Sequence, residues 1–274
     1  MAAPPPIITL TTDFGVRDPY VGVMKGVILG INPRATIVDL SHEVEPQAIA
    51  QGAFIIGSSH RFFPSGSIHV VVVDPGVGTS RRAVLLVTPT ARFLGPDNGV
   101  FTHVARAGYA DGEGLAPGYE AYEMSNRGLW LGPPSDTFHG RDVFAPVAAH
   151  LSLGVPDREV GPRLSRLTLL PQATPAWDGP VLEGSVVHVD RYGNLITDIP
   201  GSLLRGVEGL VFRVRGRPIH GLSRSYSEAG SLLAIVGSTA TLEVAVRNGS
   251  AAEALGAGVG DPVRAEAPLL SGPG

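Results

Sequence analysis

Three aspartates, Asp13, Asp74 and Asp97, each follow a short apolar run that predicts a β-strand. In an open α/β sheet the carboxyl ends of parallel strands meet at one edge, where ligands bind. Carboxylates at such an edge commonly receive ribose hydroxyls, metal ions or protons. Asp13 precedes a glycine-containing turn and a helix, the usual place for a ribose-binding acid, although a helix-capping acid explains the position equally well.

The aspartate at position 74 lies within the most distinctive stretch of the chain, residues 67–82. A continuous β-branched run that ends at Val73 predicts a strand buried on both faces of a parallel sheet. Pro75 and two glycines then let the backbone turn tightly or approach a ligand closely, and Arg81 and Arg82 follow. Because Asp-Pro-Gly is also a common turn sequence, this pattern alone fits either a capped turn or a charged site.

The sequence gives little support for other kinds of catalytic, metal or nucleotide-binding site. His139 stands between Phe138 and Gly140 at the start of a predicted helix, where a lone histidine is more often structural than catalytic. The eight histidines include no H-E-x-x-H motif or tight pair, so no metal site is expected. Dinucleotide, P-loop and G-x-S-x-G motifs are missing, and the lack of cysteine excludes disulfides, thiolate catalysis and Cys-ligated zinc.

Two polar loops in the second half of the chain could contact a ligand. Asp190, Tyr192 and Asn194 share one short loop, and their acid, ring and amide suit an amino group, a flat base and a hydrogen-bonding edge. A hairpin turn explains the same residues, since Gly-Asn is good turn chemistry. The second loop, residues 247–251, offers small residues and polar backbone.

The elements that must position these residues follow two patterns. Strand, helix, strand, helix and strand alternate over 7–12, 20–29, 35–40, 47–59 and 67–73, which indicates a parallel α/β sheet. A proline-rich stretch over 156–181 marks a boundary, and beyond it short strands without a long helix predict a small β-barrel or sandwich. We expect an N-terminal α/β domain over 1–170, a linker over 171–181 and a C-terminal domain over 182–274.

Composition sets the broad class. The 274 residues are 43 % hydrophobic and 17 % charged, as in a globular protein with a sizeable core. A net charge of −4 provides no field that would favour nucleic acid or an anionic membrane. The sequence shows no apolar run long enough to cross a bilayer and no secretory signal. We therefore expect a cytoplasmic protein that binds neither nucleic acid nor a membrane.

The motifs together, in their order, carry a resemblance that none carries alone. The chain resembles the S-adenosyl-L-methionine (SAM) hydroxide adenosyltransferase, or SAM hydrolase, family, which is related to the fluorinases and chlorinases. The matching segments span nearly the whole chain and are residues 10–15, 73–82, 95–99, 137–142, 190–194 and 248–253.

This resemblance implies an N-terminal α/β/α domain with a mainly parallel sheet, a smaller C-terminal antiparallel β-barrel, and a homotrimer that binds SAM between subunits. The residues that match the family's water-activating set are Asp74, Arg81 and His139. Those that match substrate contacts are Asp13 for the ribose hydroxyls, Asp190 for the methionine end, Tyr192 and Asn194 in the adenine loop, and, as weaker matches, Asp18, Asn98, Ser238 and Asn248.

The implied reaction is attack of water-derived hydroxide on C5′ of SAM, which gives adenosine and L-methionine without a metal or cofactor. Either Asp74 or His139 could take the proton. A SAM-dependent 5′-halogenase is the near alternative, but a carboxylate beside the nucleophile repels halide while it can orient or deprotonate water. A module that binds adenosine or SAM without turnover is the second alternative, although it would not need the set Asp74, Arg81 and His139.

Overall fold

The computed structural model describes residues 4–109, 114–171, 174–227 and 232–268. The chain folds into two compact units, Met1–Leu170 and Pro171–Gly274, called here the N-terminal and C-terminal units. Among the described residues, no helix has both the length and the apolar character needed to cross a membrane.

The N-terminal unit is built on a seven-stranded sheet. Its strands are β1 (Ile7–Thr12), β2 (Thr36–Ser41), β3 (Ser67–Val72), β4 (Ala83–Val87), β5 (Ala91–Pro96), β6 (Glu120–Glu123) and β7 (Arg163–Leu164), in the spatial order β2-β1-β3-β5-β4-β6-β7. The helices are α1 (Tyr20–Ile31), α2 (Ile49–Ser59), α3 (Thr102–Ala105) and α4 (Ala145–Ser152). The predicted α/β class is confirmed.

The sheet is parallel over its first four strands and antiparallel over the rest. β2, β1, β3 and β5 pair in parallel, whereas β4 pairs antiparallel with both β5 and β6. Only residues 88–90 separate β4 from β5, and so short a connection permits a hairpin but no parallel crossover. The sheet is therefore mixed, with its parallel half carrying the strand ends that sequence analysis singled out.

Helices cover both faces of this sheet. Met24 and Ile28 of α1 and Phe144 beside α4 pack with Leu10 and Val70 in one buried cluster. Side chains of α2 and α3 pack with Val71 and Phe93 in another. All six residues of β3 are buried, as its β-branched run predicts for a central strand covered on both faces.

The C-terminal unit is an antiparallel sheet. Its strands are β8 (Trp177–Asp178), β9 (Val181–Val189), β10 (Leu195–Pro200), β11 (Val211–Val214), β12 (Arg217–His220), β13 (Leu232–Val236), β14 (Thr241–Val246) and β15 (Pro262–Glu266). The strand order is β12-β11-β15-β9-β10-β14-β13, with β8 paired to β9. Because β12 also approaches β13, the sheet nearly closes into the predicted barrel.

Sequence analysis predicts strands in this unit over 184–190, 195–199, 210–214, 232–236 and 242–246, and it missed β8, β12, β15 and the short helix α5 (Ala251–Leu255). β12 contains Pro218 and buries only Ile219, so it lacks the apolar run of the other strands. α5 has a readable signal, because Ser250 accepts the backbone N–H of Glu253 at 3.1 Å in an S-x-x-E capping sequence. The predicted linker 171–181 contains β8, which pairs with β9.

A buried histidine lies in the middle of the N-terminal sheet. His69 of β3 is fully buried, stacks on Phe93 with ring centroids 4.9 Å apart, and bonds Thr9 Oγ1 through Nδ1 at 2.8 Å. Burial, and then the neighbouring His60, lower the pKa of His69 to about 4. The folded protein therefore holds this imidazole neutral where an unfolded chain would protonate it.

We expect this histidine to make stability fall in acid. Between its ordinary pKa of 6.5 and about 4, the unfolded state binds a proton that the native state does not, so the free energy of unfolding decreases as pH falls through that window. The contribution is on the order of 3 kcal/mol. Urea unfolding of wild type and His69→Leu at pH 7.5 and 4.5 should show a smaller acid loss in the variant. Equal losses in the two proteins would contradict this.

Candidate active site

The loop after β3 folds back so that its arginine meets its aspartate. Arg81 Nε donates to Asp74 Oδ1 at 2.9 Å, and Nη2 of the same guanidinium contacts Oδ2, which makes a bidentate ion pair. Both side chains are largely buried, at 4 % exposure for Asp74 and 11 % for Arg81. Phe144 covers the guanidinium at 5.5 Å from its ring centroid.

The backbone of this loop depends on Gly78. It has φ +76°, and a Cβ built there would stand 2.3 Å from the carbonyl oxygen of Asp136. Loop 74–81 therefore packs directly on the segment that leads to His139. A residue with a side chain could neither adopt this backbone easily nor fit against that carbonyl.

His139 joins the ion pair from this second segment. The Arg81 guanidinium lies 2.7 Å from His139 Nδ1 through Nη2. Because a guanidinium has only donors, Nδ1 must be the acceptor, and the proton of the neutral imidazole is on Nε2. Burial, and then the Arg81 charge, lower the pKa of His139, whereas Asp74 acts in the opposite direction. The structure thus brings together the three side chains predicted to activate water.

A π-helical turn over Gly140–Phe144 follows His139 and leads into α4. Such turns interrupt regular helices and are frequent at functional sites. Asp142 anchors the turn, since its Oδ2 accepts the Ser135 backbone N–H at 2.8 Å and the Ser135 hydroxyl at 2.7 Å. Arg141 binds the same carboxylate. The imidazole is therefore held by a braced segment.

Asp13 lies at the same sheet edge, one residue beyond β1, which pairs in parallel with β3. Its Oδ2 accepts the backbone N–H of Gln47 at 2.9 Å, while its Oδ1 has no hydrogen-bond partner among the residues that the structure describes. Asp18 is exposed. The side chain of Asn98 makes two hydrogen bonds to nearby backbone: its amide donates to the Val73 carbonyl at 2.9 Å, and its oxygen accepts the Val100 N–H at 3.2 Å.

Asp97 also follows a strand of this edge, but its carboxylate serves the fold. It binds Arg82 at 3.0 Å through Nε and accepts the Thr168 N–H at 2.7 Å, and its side chain is 3 % exposed. Within the described ranges, the three aspartates therefore differ: Asp74 pairs with Arg81, Asp13 has one oxygen without a partner, and both oxygens of Asp97 make structural contacts.

An aromatic cavity of about 550 Å³ opens in the N-terminal unit. Phe14, Tyr20 and Phe138 contact one another edge to face at centroid distances of 5.3–5.9 Å, and all three line this cavity with Ser135, Thr137 and Arg141. Phe14 follows Asp13 in the chain, and Phe138 precedes His139. Sequence analysis did not assign these rings, although each is next to a residue that it did assign.

In the C-terminal unit, Asp190 organises the hairpin turn that joins β9 to β10. Its carboxylate accepts the backbone N–H groups of Tyr192 and Asn194 and the side-chain amide of Asn194, each at 2.9 Å. Gly193, at φ +79°, packs against Ser250 of the next loop, where a Cβ would stand 2.1 Å from the Ser250 hydroxyl. The hairpin interpretation is correct, and the turn exposes the side chain of Tyr192 while Asn194 is buried.

A cavity of about 830 Å³ lies beside this turn. Four of the predicted residues line it, Asp190, Tyr192, Asn194 and Asn248, whereas Ser238 lies in the exposed turn between β13 and β14. Tyr226 lines the cavity as well and was missed. Its hydroxyl donates to buried Glu243 at 2.7 Å, which raises the pKa of Tyr226 to about 12.

Charge and shape divide the chemistry between these places. The N-terminal edge offers a guanidinium, a carboxylate and an imidazole in contact. The C-terminal cavity offers two tyrosines and polar groups suited to a flat, hydrogen-bonding ligand. Among the described residues, no group of three His, Asp or Glu side chains is arranged to hold a metal ion.

We expect Gly78→Ala to destabilise the protein more than Gly66→Ala. Both glycines have positive φ, +76° and +88°, but only Gly78 faces a backbone carbonyl, since Gly66 has no atom within 4 Å of an added Cβ. Backbone strain costs about 1–3 kcal/mol at either site, and the collision adds to it at Gly78 alone. Urea unfolding of the two variants measures the difference. Equal losses would show that loop 74–81 tolerates the added methyl group.

Comparison with known proteins agrees with this arrangement. The N-terminal domain of the SAM hydroxide adenosyltransferase family matches residues 8–161 and its C-terminal domain matches residues 184–264. A protein named (R)-S-adenosyl-L-methionine hydrolase from Thermus thermophilus is 41 % identical over 92 % of this chain and 96 % of its own, and one of the same name from Salinispora tropica is 39 % identical over 97 % and 99 %.

More distant relatives and solved structures extend the comparison. A fluorinase from an Actinoplanes species is 33 % identical over 71 % of this chain and 72 % of its own. The crystal structure of an uncharacterized conserved protein from Thermotoga maritima matches with a TM-score of 0.86 and 38 % identity, over 94 % of this chain and 99 % of that one. The resemblance drawn from the motifs is confirmed, and the chain belongs to the SAM hydroxide adenosyltransferase family.

Proposed function

We propose that this protein hydrolyses SAM to adenosine and L-methionine. The observation that carries the proposal is the contact of Asp74, Arg81 and His139 at the carboxyl edge of the sheet, where the guanidinium binds both the carboxylate and the imidazole. Curated relatives of nearly equal length that bear the hydrolase name support the same substrate.

The reaction is a displacement at C5′ of the ribose. The C5′–S bond breaks with its electron pair going to sulfur, so the leaving methionine is a neutral thioether that needs no proton. The difficulty lies with the nucleophile, because bulk water has a pKa of about 15.7. A site that favours hydroxide over water and aligns it with the C5′–S bond therefore supplies the main acceleration.

The hydrogen bonds of the three residues suggest a separate role for each. Arg81 is the fixed positive charge that stabilises the developing hydroxide. His139 cannot take the proton at Nδ1 while that nitrogen accepts from Arg81, so it holds the nucleophile by donating from Nε2. Asp74 is then the acceptor of the water proton. The new C5′–O bond completes adenosine, whose hydroxyl keeps the second proton of the water.

The remaining residues hold the substrate in line for attack. Asp13, one of whose carboxylate oxygens has no hydrogen-bond partner in the described part of the chain, accepts the ribose hydroxyls, and Asp18 and Asn98 contribute on the same unit. Asp190 receives the methionine end, Tyr192 and Asn194 belong to the adenine subsite, and Ser238 and Asn248 are further, weaker candidates for substrate contacts. Tyr226 adds a second aromatic wall to the cavity lined by Tyr192.

A homotrimer that binds SAM between subunits, a cytoplasmic location and a reaction without a cofactor are parts of the same proposal. They are implied by the family resemblance and the composition. The proposal includes no role for nucleic acid or a membrane.

Halogenation is the alternative that the fluorinase relatives raise. A chloride or fluoride ion placed beside Asp74 would be repelled by its carboxylate, while water is oriented by it. The Asp74 carboxylate stays in the site and pairs with Arg81, so the guanidinium is not left free to bind a halide. The arrangement therefore favours an oxygen nucleophile.

Chromatography of products tests the proposal directly. Incubation with SAM should yield adenosine and L-methionine, with or without chloride. Asp74→Ala, Arg81→Ala and His139→Ala should each lower turnover by about 10²-fold or more, because acid–base and charge-stabilising groups are lost. Arg82→Ala is the matched control, since this neighbouring arginine pairs with Asp97 and should retain turnover. Formation of 5′-chloro-5′-deoxyadenosine would identify a halogenase, and unchanged SAM a binding module.

The pH profile tests the assigned tautomer. Protonated His139 would carry a proton on Nδ1 facing Arg81, so activity should fall once this imidazole is protonated. Because the pKa of His139 is lowered from 6.5, kcat/KM should stay constant as the pH falls to about 6.5 and should decline only at lower pH. In His139→Gln, which does not titrate, the remaining activity should decline only at lower pH. An unchanged acid limb in the variant would show that His139 protonation does not control the rate.

A further inference from the structure

A chain of polar side chains runs from α1 to the residue before Asp13. Lys25 Nζ binds Asp39 Oδ2 at 2.6 Å, and the other oxygen of Asp39 lies 3.0 Å from His42 Nε2. His42 Nδ1 in turn lies 2.9 Å from Thr12 Oγ1. The four residues come from α1, from β2, from the loop after β2 and from the end of β1, so the contacts tie separate elements to one point.

The donors and acceptors fix a direction along this chain. In the neutral imidazole of His42, the nitrogen that faces the Asp39 carboxylate carries the ring proton, since an ionised carboxylate only accepts. Nδ1 is then the acceptor, and the Thr12 hydroxyl donates to it. The oxygen of that hydroxyl can therefore accept the backbone N–H of Phe14, which lies 3.3 Å away.

Asp39 is suited to anchor the chain. Burial alone would raise its pKa, but its contacts with Lys25 and His42 outweigh burial and lower the pKa below the ordinary value. Asp39 is 40 % exposed and Lys25 34 %, whereas the His42 side chain is 4 % exposed. The Lys25–Asp39 ion pair thus lies near the surface, and the buried His42 imidazole connects it to Thr12.

At its inner end, this series of side-chain contacts holds the residues on both sides of Asp13. Thr12 precedes it, and the Phe14 N–H that follows it is bound to Thr12. Gly15 N–H also donates to the His42 carbonyl at 2.8 Å. His42 therefore holds the loop 12–15 through both its ring and its backbone, while Asp13 Oδ1 is left without a partner among the described residues.

A second histidine shows what a purely structural contact of this kind looks like. His69 also bonds a threonine of β1 through Nδ1, at 2.8 Å from Thr9 Oγ1. Like His42 Nε2, its Nε2 makes no hydrogen bond of good geometry among the described residues; unlike His42, it has no carboxylate within ion-pair distance there, and Thr9 lies in the middle of the strand. His42 differs because it is anchored by an acid and ends at the sheet edge.

We propose that His42, anchored by Asp39 and Lys25, is a positioning residue that aims the Asp13 carboxylate at the ribose hydroxyls. This inference rests on the proposed function, in which Asp13 binds the ribose. It assigns His42 no contact with the reacting atoms. Loss of the imidazole should reduce selective binding of the ribose diol and should raise KM more than it lowers kcat.

The ratio of the dissociation constants of 3′-deoxyadenosine and adenosine, measured by calorimetry, isolates this effect. We expect His42→Leu to reduce the ratio by about 10-fold or more, as loss of a supporting hydrogen bond or a small misplacement does at other sites. His42→Asn, whose side-chain oxygen can stand near the position of Nδ1, should restore most of it. His69→Leu, the matched control, should leave the ratio unchanged even where it lowers the melting temperature.

Thr12 provides a second route in case His42→Leu does not fold. Thr12→Val removes the middle hydroxyl with little change in shape, and Thr12→Ser keeps it. The valine variant should lose discrimination and the serine variant should retain it. Because both residues act through one chain of contacts, the effects of Thr12→Val and His42→Leu should be smaller together than their sum.

The outcomes separate this inference from the proposed function. If Asp13→Ala abolishes discrimination while His42→Leu and Thr12→Val keep it, the positioning role is wrong and ribose binding by Asp13 stands. If Asp13→Ala also keeps it, the positioning role fails with the ribose assignment. SAM turnover, measured separately, decides the proposed function in either case. Equal loss of discrimination in His69→Leu would reduce the effect to general destabilisation and overturn the inference.

Discussion

The contact on which the candidate site depends is the Arg81 guanidinium shared between Asp74 and His139. Its planar fork supplies donors to a carboxylate and to an imidazole nitrogen at once, which a lysine ammonium could not do in the same geometry. Removing so many polar groups from water is expensive unless each is paired. The guanidinium meets that condition for both neighbours and, because it only donates, also determines which nitrogen of His139 carries the proton. One side chain therefore sets the charge, the tautomer and the spacing of the other two.

The rest of the N-terminal unit serves this contact by rigidity. β3 is buried along its whole length, so the position where Asp74 emerges is fixed by the core. Gly78 lets loop 74–81 lie against the segment that carries His139, and Asp142 braces the π-helical turn that follows. Side chains that act together must be held on elements that do not move relative to one another. Here both segments rest on the same packed layers.

Sequence reasoning reached the parts of this arrangement that local pattern determines. The β-branched run of β3 and the punctuated loop after it were visible, and family resemblance selected Asp74, Arg81 and His139 from many charged residues. It could not predict tertiary contacts between residues that are distant in sequence and belong to no recognisable motif. Nothing local to His42 or Tyr226 indicates that one supports the loop of Asp13 and the other lines a cavity. β12 escaped because it contains Pro218 and buries only Ile219, whereas β15 alternates buried Val263 and Ala265 with exposed Arg264 and was readable from its pattern.

The charge of the set bears on the choice of nucleophile. Arg81 contributes one positive charge, Asp74 one negative charge, and His139 is neutral in the tautomer that accepts from Arg81. The three side chains are therefore neutral as a unit. An uncompensated guanidinium would attract halide ions and repel the sulfonium of SAM, whereas the paired one does neither strongly. When hydroxide forms, Asp74 accepts the proton, and the positive charge of Arg81 is then balanced by the nucleophile. The stabilisation appears as the reaction proceeds, which is the condition for catalysis as opposed to tight binding of the substrate.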